Sequence, residues 1–223
     1  MNAKAEILYS WLFIFLLVLV RCNNHGLLDK IENPGSTGKT GSGSGNGSAA
    51  IYLFRTNTTF NGDLATAGGT PGNARAGSDS LCSTARGGIT FPDNSCMNVR
   101  AFISISAADE IQDMPANYGV PLMKPIQSLT GVLVDSDWAN LLTQPIAPSG
   151  LAAAGVMPVS TYWWSFSNSS NGTFDGTNNC TNGTVSTSVP GRRGFSDSNI
   201  LAWMTDDLSG CNVLPAYVLC LCY

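Results

Sequence analysis

An α+β domain over residues 49–223 is the fold class this sequence predicts: short helices packed on a twisted, mostly antiparallel sheet, with one long disulfide-pinned loop. Three observations predict it. Short runs rich in strand formers recur at residues 49–54, 100–105 and 216–222. Between them lie short segments with helical spacing and capping residues. From residue 165 to 199 the texture changes to Ser, Asn, Gly and Thr, a long-loop composition held by Cys180.

Taken in order, residues 49–54 (AAIYLF) read as the first strand, ended by the polar turn signal TNTTFNGD. Residues 77–86 carry Ser78 and Asp79 as caps ahead of Leu81, Cys82 and Ala85 at helical spacing, which predicts a short helix with one buried stripe. Residues 100–105 alternate as a strand. The following SAADEIQDMP predicts a helical turn or two, with Ser106 as cap and Pro115 as stop. Next come a strand-like GVLV and a capped helical start at Ser136-Asp137-Trp138. Beyond the long loop, residues 200–203 and 216–222 read as closing strands, and no internal repeat is visible.

The N-terminal segment is different in kind. Lys4 precedes an apolar run from Ile7 to Val20 that only Ser10 interrupts, and fourteen residues is the length of a signal peptide rather than of a membrane span, which wants about 20. The run ends in Leu19-Val20-Arg21-Cys22, which resembles a bacterial lipobox with Cys22 as the lipidated residue; Arg21 stands where a small residue is usual. Residues 1–21 are thus expected to be a lipoprotein signal peptide and residues 22–48 a lipid-anchored Gly/Ser-rich tether. A plain secretory peptide with an incidental Cys22 is the competing reading. Within the tether, Gly38-Lys39-Thr40 ends like a phosphate-binding loop. Asn33 stands where that motif needs glycine, and GSGSGNGS follows instead of a helix, so linker is the better reading.

Setting Cys22 aside leaves Cys82, Cys96, Cys180, Cys211, Cys220 and Cys222, an even number suited to three disulfides in an oxidising compartment. No CxxC pair occurs. The only histidine, His25, sits in the tether, so residues 49–223 offer neither a Cys/His metal site nor the usual histidine base of Ser/His/Asp and Cys/His enzymes. The same stretch holds seven Lys/Arg against twelve Asp/Glu, a balance of −5. Nucleic acid or heparin would want the opposite sign.

Several blocks, in their order, carry a family likeness: GSDSLCSTAR at residues 77–86, RAFIS at 100–104, VPL at 120–122 followed by WANLL at 138–142, and AYVLC at 216–220. In these the domain resembles the endostatin domain of collagens and, through it, the C-type-lectin-like fold. It also resembles a family of spirochaetal (leptospiral-type) surface lipoproteins, in the segment Phe60-Asn61-Gly62-Asp63-Leu64 and in lying behind a lipobox. The resemblance implies that Cys82 pairs with Cys220 and Cys180 with Cys211, leaving Cys96 for Cys222; by sequence alone all fifteen pairings stay open. It further implies a lipid-anchored protein of the bacterial outer membrane. Endostatin's heparin-binding arginine cluster has no counterpart beyond Arg192-Arg193. The lectins' Glu-Pro-Asn, Gln-Pro-Asp and Trp-Asn-Asp signatures are missing.

Two candidate sites follow. Thr161-Tyr162-Trp163-Trp164-Ser165-Phe166 is the densest aromatic stretch; strand alternation would bury one tryptophan and turn the other outward. That outward ring, beside Asn168, Asn171, Asn178 and Asn179, could stack on a sugar or anchor a protein; core packing is the alternative. Asp206 and Asp207 are the nearest approach to a Ca²⁺ site. Without the partner motif they read as a solvated acidic turn, and no cofactor is expected. The predicted function is a non-catalytic binding module for a protein or glycan ligand, host extracellular matrix among the candidates, with a structural envelope lipoprotein as the alternative. A hydrolase using Asp206 and Asp207 is disfavoured because adjacent carboxylates seldom converge on a substrate from opposite sides.

Overall fold

The computed structural model describes residues 49–92, 96–143, 145–169 and 171–223. Cys22, the 1–21 signal segment and the 22–48 tether with Lys39 lie outside the described residues. Among those described, no helix is long and apolar enough to cross a membrane.

The fold is α+β, with one mixed and one antiparallel sheet. The larger sheet has five strands: β1 (Ile51–Arg55), β2 (Val99–Ala101), β3 (Ile126–Ser128), β4 (Leu133–Asp135) and β8 (Leu219–Cys222), in the order β2-β8-β1-β3-β4. Every pairing is antiparallel except β1 with β3. The central strand β1 explains the continuous apolar run IYLF. Ile51 and Leu53 point into one core with Leu219, Leu221 and Ile126, while Tyr52 and Phe54 point into another with Cys220 and Cys222. A strand covered on both faces needs no polar alternation.

The second sheet is β5 (Tyr162–Trp164), β6 (Pro190–Phe195) and β7 (Asp207–Gly210), with β6 in the middle and both pairings antiparallel. Tyr217, just ahead of β8, ties the two sheets together: Trp164 donates to its carbonyl and its amide donates to the Tyr162 carbonyl, each at 3.0 Å.

The one long helix, α2 (Ala74–Arg86), starts a turn earlier than the sequence predicts. Its N-cap is Asn73, whose side chain accepts from the Ala76 amide at 3.0 Å; Ser78 is buried, and Asp79 reaches across to the Ala101 amide and to Arg100. Arg75 completes this strap. It grips Asp109 through two nitrogens and donates to the Ala101 and Ile103 carbonyls. The outer edge of β2 is thereby covered by charged side chains, a standard protection of a sheet edge.

Elements that differ from the sequence reading do so for local reasons. Pro115 does not stop a helix: it sits in the first turn of α3 (Met114–Tyr118), where its missing N–H costs nothing, and Gly119 at φ 71° ends that helix. Ser106 caps no helix and instead closes a tight turn with Asp109. Residues 200–203 are not a strand. Trp203 and Met204 are both buried while Ile200 and Leu201 are exposed, a pattern that alternation cannot give and a helical turn can, and they form α5 (Ala202–Thr205). The predicted starts at α4 (Trp138–Leu141), capped by Asp137, and at β4 are present. α1 (Leu64–Ala67), capped by Asp63, was not foreseen.

Three disulfides are formed: Cys82–Cys220 fastens α2 to β8, Cys96–Cys222 fastens the loop after α2 to the same strand, and Cys180–Cys211 joins the long-loop region to the end of β7.

Candidate functional site

Loops as long as residues 165–199 carry function when they are ordered. This segment is not one open loop. Residues 190–195 of the segment are β6, the central strand of the second sheet, and the part before it is fastened from beneath. Ser104 Oγ donates to the Gly172 carbonyl at 2.7 Å, accepts from the Ile111 amide at 2.9 Å and meets Ser167 Oγ at 3.1 Å, all buried. Glu110 accepts from the Phe174 amide at 2.9 Å and is held by Gln112.

At the centre of the segment stands Asp175, 5% exposed. Its carboxylate accepts from the amides of Thr177 and Asn178, from the Asn178 side chain, and from Arg192 Nε at 3.2 Å. Burial pushes the Asp175 carboxyl upward, but the Asn178 and Thr177 hydrogen bonds with the Arg192 guanidinium outweigh it and hold the group below the ordinary range. Residues 180–182 then run through three consecutive left-handed conformations, φ 54°, 53° and 57°, closed by Gly183 at 71°. Non-glycine residues rarely adopt this backbone, at about 1–2 kcal/mol each. The Cys180–Cys211 bridge and the Asn179 side chain, which accepts from the Asn182 amide, hold it in place.

The tryptophan expectation needs correction. Alternation does send Trp163 and Trp164 to opposite faces of β5, but each face meets a core, and both rings are 0% exposed. Trp163 packs against Phe102 and Trp203 at centroid distances of 5.7 and 5.9 Å and donates to the Trp203 carbonyl; Trp164 packs on Phe166 and donates to the Phe60 carbonyl. Neither offers a stacking platform.

Of the four asparagines, Asn168 and Asn171 are exposed, and the Asn171 oxygen is already engaged by Ser169 and Thr173. Asn178 is committed to Asp175. Asn179 is buried, donating to the Asp175 carbonyl at 2.7 Å. The aromatic-plus-asparagine site therefore does not assemble.

Asp206 and Asp207 diverge in role. The Asp207 carboxylate takes the guanidinium of Arg193, a 2% exposed arginine whose guanidinium carbon also lies 4.2 Å from the centroid of the Tyr162 ring. Asp206 is exposed; desolvation and then the neighbouring Asp207 charge raise its carboxyl above the ordinary range, against Arg193. Among the described residues no group of three or more His, Cys, Asp or Glu is placed to hold a metal ion.

Sequence reasoning missed a groove of about 460 Å³ lined by Thr59, Phe60, Asn61, Asp63, Thr66, Ala67, Ser186 and Pro215. It lies between the turn after β1, helix α1 and the far end of the long-loop region. Ser186 and the four residues that follow it are all exposed. Near its lining residues in sequence, Val189, Val213 and Leu214 are 38%, 63% and 53% exposed. The Val189 carbonyl accepts from the Cys211 amide, so the Cys180–Cys211 bridge braces this end of the sheet.

No family model matches the chain, and no curated protein matches it either. The fold and the site define a class only: a three-disulfide α+β domain with an open, partly apolar groove beside helix α1.

Proposed function

We propose that the chain is a lipid-anchored, surface-exposed lipoprotein of the bacterial outer membrane whose C-type-lectin-like (endostatin-like) domain binds a protein or glycan ligand without catalysis and without Ca²⁺. The observation that carries the binding reading is the groove of about 460 Å³ lined by Phe60, Asp63 and Pro215, with the exposed Val213 and Leu214 directly ahead of Pro215 in the chain. A concave surface that combines an aromatic side chain with a few polar groups is the usual form of a binding site. The fold assignment is supported by three features. The first and last strands pair at the centre of the larger sheet, a helix cysteine bridges to the last strand, and a second bridge fastens the long-loop region.

The test is binding of the purified protein to arrays of glycans and extracellular-matrix proteins, followed by Val213→Asp and Phe60→Ala variants. A ligand lost in both variants and indifferent to chelation supports the groove. A ligand that survives both removes the groove, and one lost on chelation restores Asp206 and Asp207 as metal ligands. No ligand on either array favours the structural envelope role.

A further inference from the structure

β7 is the outer strand of the smaller sheet. Which of its backbone groups face outward follows from β6. Arg192 turns its amide to the Asn178 carbonyl at 2.8 Å and its carbonyl to the amides of Ser165 and Phe166, both at 3.2 Å, all away from β7. The Cys211 amide, one pair beyond β7, donates to the Val189 carbonyl at 2.9 Å. Bonded and non-bonded pairs alternate along an antiparallel ladder. Given the register, Gly191–Ser209 and Arg193–Asp207 are the bonded pairs, and Arg192–Leu208 is a non-bonded one. The N–H and C=O of Leu208 therefore face the open side, where no described residue meets them.

The opposite edge is closed, because Tyr217 pairs with β5. The outer edge of β2 is covered by Arg75 and Asp79. β7 has no such cover among the described residues. It also presents an apolar side chain, Leu208, 47% exposed, on the face away from buried Ser209.

We propose that β7 of one copy pairs antiparallel with β7 of a second copy, across a two-fold axis at Leu208, to make a continuous six-stranded sheet. The strand Asp207-Leu208-Ser209 suits itself as a partner. Leu208 falls opposite Leu208, Asp207 opposite Ser209, and no like charges face each other across the axis. The outward N–H and C=O of Leu208 then satisfy their counterparts reciprocally, and the two exposed leucines cover one another. A foreign extended peptide would meet the same backbone groups, but an acidic chain's own strand already has a neutral residue on the axis. The pairing is independent of the ligand-binding reading, since it involves neither Phe60 nor Pro215.

The experiment uses the full chain in mild detergent. Opposed residues of a bonded pair have Cα atoms about 5.5 Å apart, within disulfide reach. Leu208→Cys is therefore expected to form a covalent dimer on non-reducing gels, with the three native bridges retained on peptide mapping. Val159→Cys, at a residue 73% exposed away from the strand, is expected to remain monomeric. Leu208→Pro removes the outward N–H from both copies, and with it both reciprocal hydrogen bonds and the contact between the two leucines, and should weaken the dimer seen by sedimentation at least about tenfold. Equal cross-linking at positions 208 and 159 overturns the proposal. So does a wild-type chain that sediments as a monomer from micromolar to submillimolar concentration, or a Leu208→Pro dimer as strong as the wild type.

Discussion

Gly194→Ala isolates the most demanding contact in the molecule. A Cβ at this position would lie 2.2 Å from the Trp203 carbonyl oxygen and 2.5 Å from Trp163 Nε1, between the two atoms that share a 3.0 Å hydrogen bond. Both tryptophans are 0% exposed, so neither can swing into solvent. Overpacking a core of this kind costs about 1–3 kcal/mol. Parting the indole from its only acceptor leaves a buried N–H unsatisfied, about 1–3 kcal/mol more. Against this, alanine restricts the unfolded chain and returns about 0.4–1 kcal/mol. The net loss is about 1–5.5 kcal/mol, or a Tm lowered by about 2–22 °C for a domain of this size. The assay is a guanidinium titration of the oxidised protein followed by tryptophan fluorescence, with Gly176→Ala as the comparison. Gly176 has nothing within 4 Å of its added Cβ and a φ outside the left-handed region, so that variant should be neutral or slightly more stable. A Gly194→Ala protein within about 0.5 kcal/mol of wild type would refute the reasoning, because side chains that buried could then yield freely.

Three further outcomes are expected. The Asp175 carboxyl is depressed in the folded state, so its contribution is present above the unfolded value of about 3.9 and lost as pH falls through the lower folded value; thermal melts between about pH 5 and 2 should show Asp175→Asn losing less stability than wild type. Replacing both Cys180 and Cys211 by alanine opens a loop of 31-residue separation and should cost about 3.5 kcal/mol on the chain-entropy account, measured by denaturant titration. If Cys22 carries lipid, Cys22→Ala should move the protein from the detergent phase to the aqueous phase, because stable attachment needs at least two acyl chains; unchanged partitioning would sink the lipoprotein reading.

β1 and β8 were legible because a strand buried on both faces leaves an unbroken apolar run, and IYLF and LCLC are such runs. β6 was hidden by the residues that make it possible. Its sequence, PGRRGF, has poor strand propensity, yet a Cβ on Gly191 would meet Cys180 Sγ at 2.5 Å and Trp164 Cζ3 at 2.7 Å, and Gly194 is blocked by Trp163 and Trp203. The sequence thus reads as loop where the packing requires bare backbone. The alternation of Trp163 and Trp164 was readable, but their exposure was not, since nothing local says that a second core covers the other face. The groove escaped notice because Phe60, Ser186 and Pro215 are brought together only by the closed fold.

The central place of β8 between β2 and β1 also sets the order of events during synthesis. Cys82, Cys96 and Cys180 each wait for a partner among residues 211–222, so the early cysteines have no native match until those residues emerge. A chain emerging from its N-terminus holds its larger sheet open until that moment, and any bridge formed sooner among the three is wrong. Maturation of this fold therefore rests on late oxidation, or on an isomerase able to undo early errors.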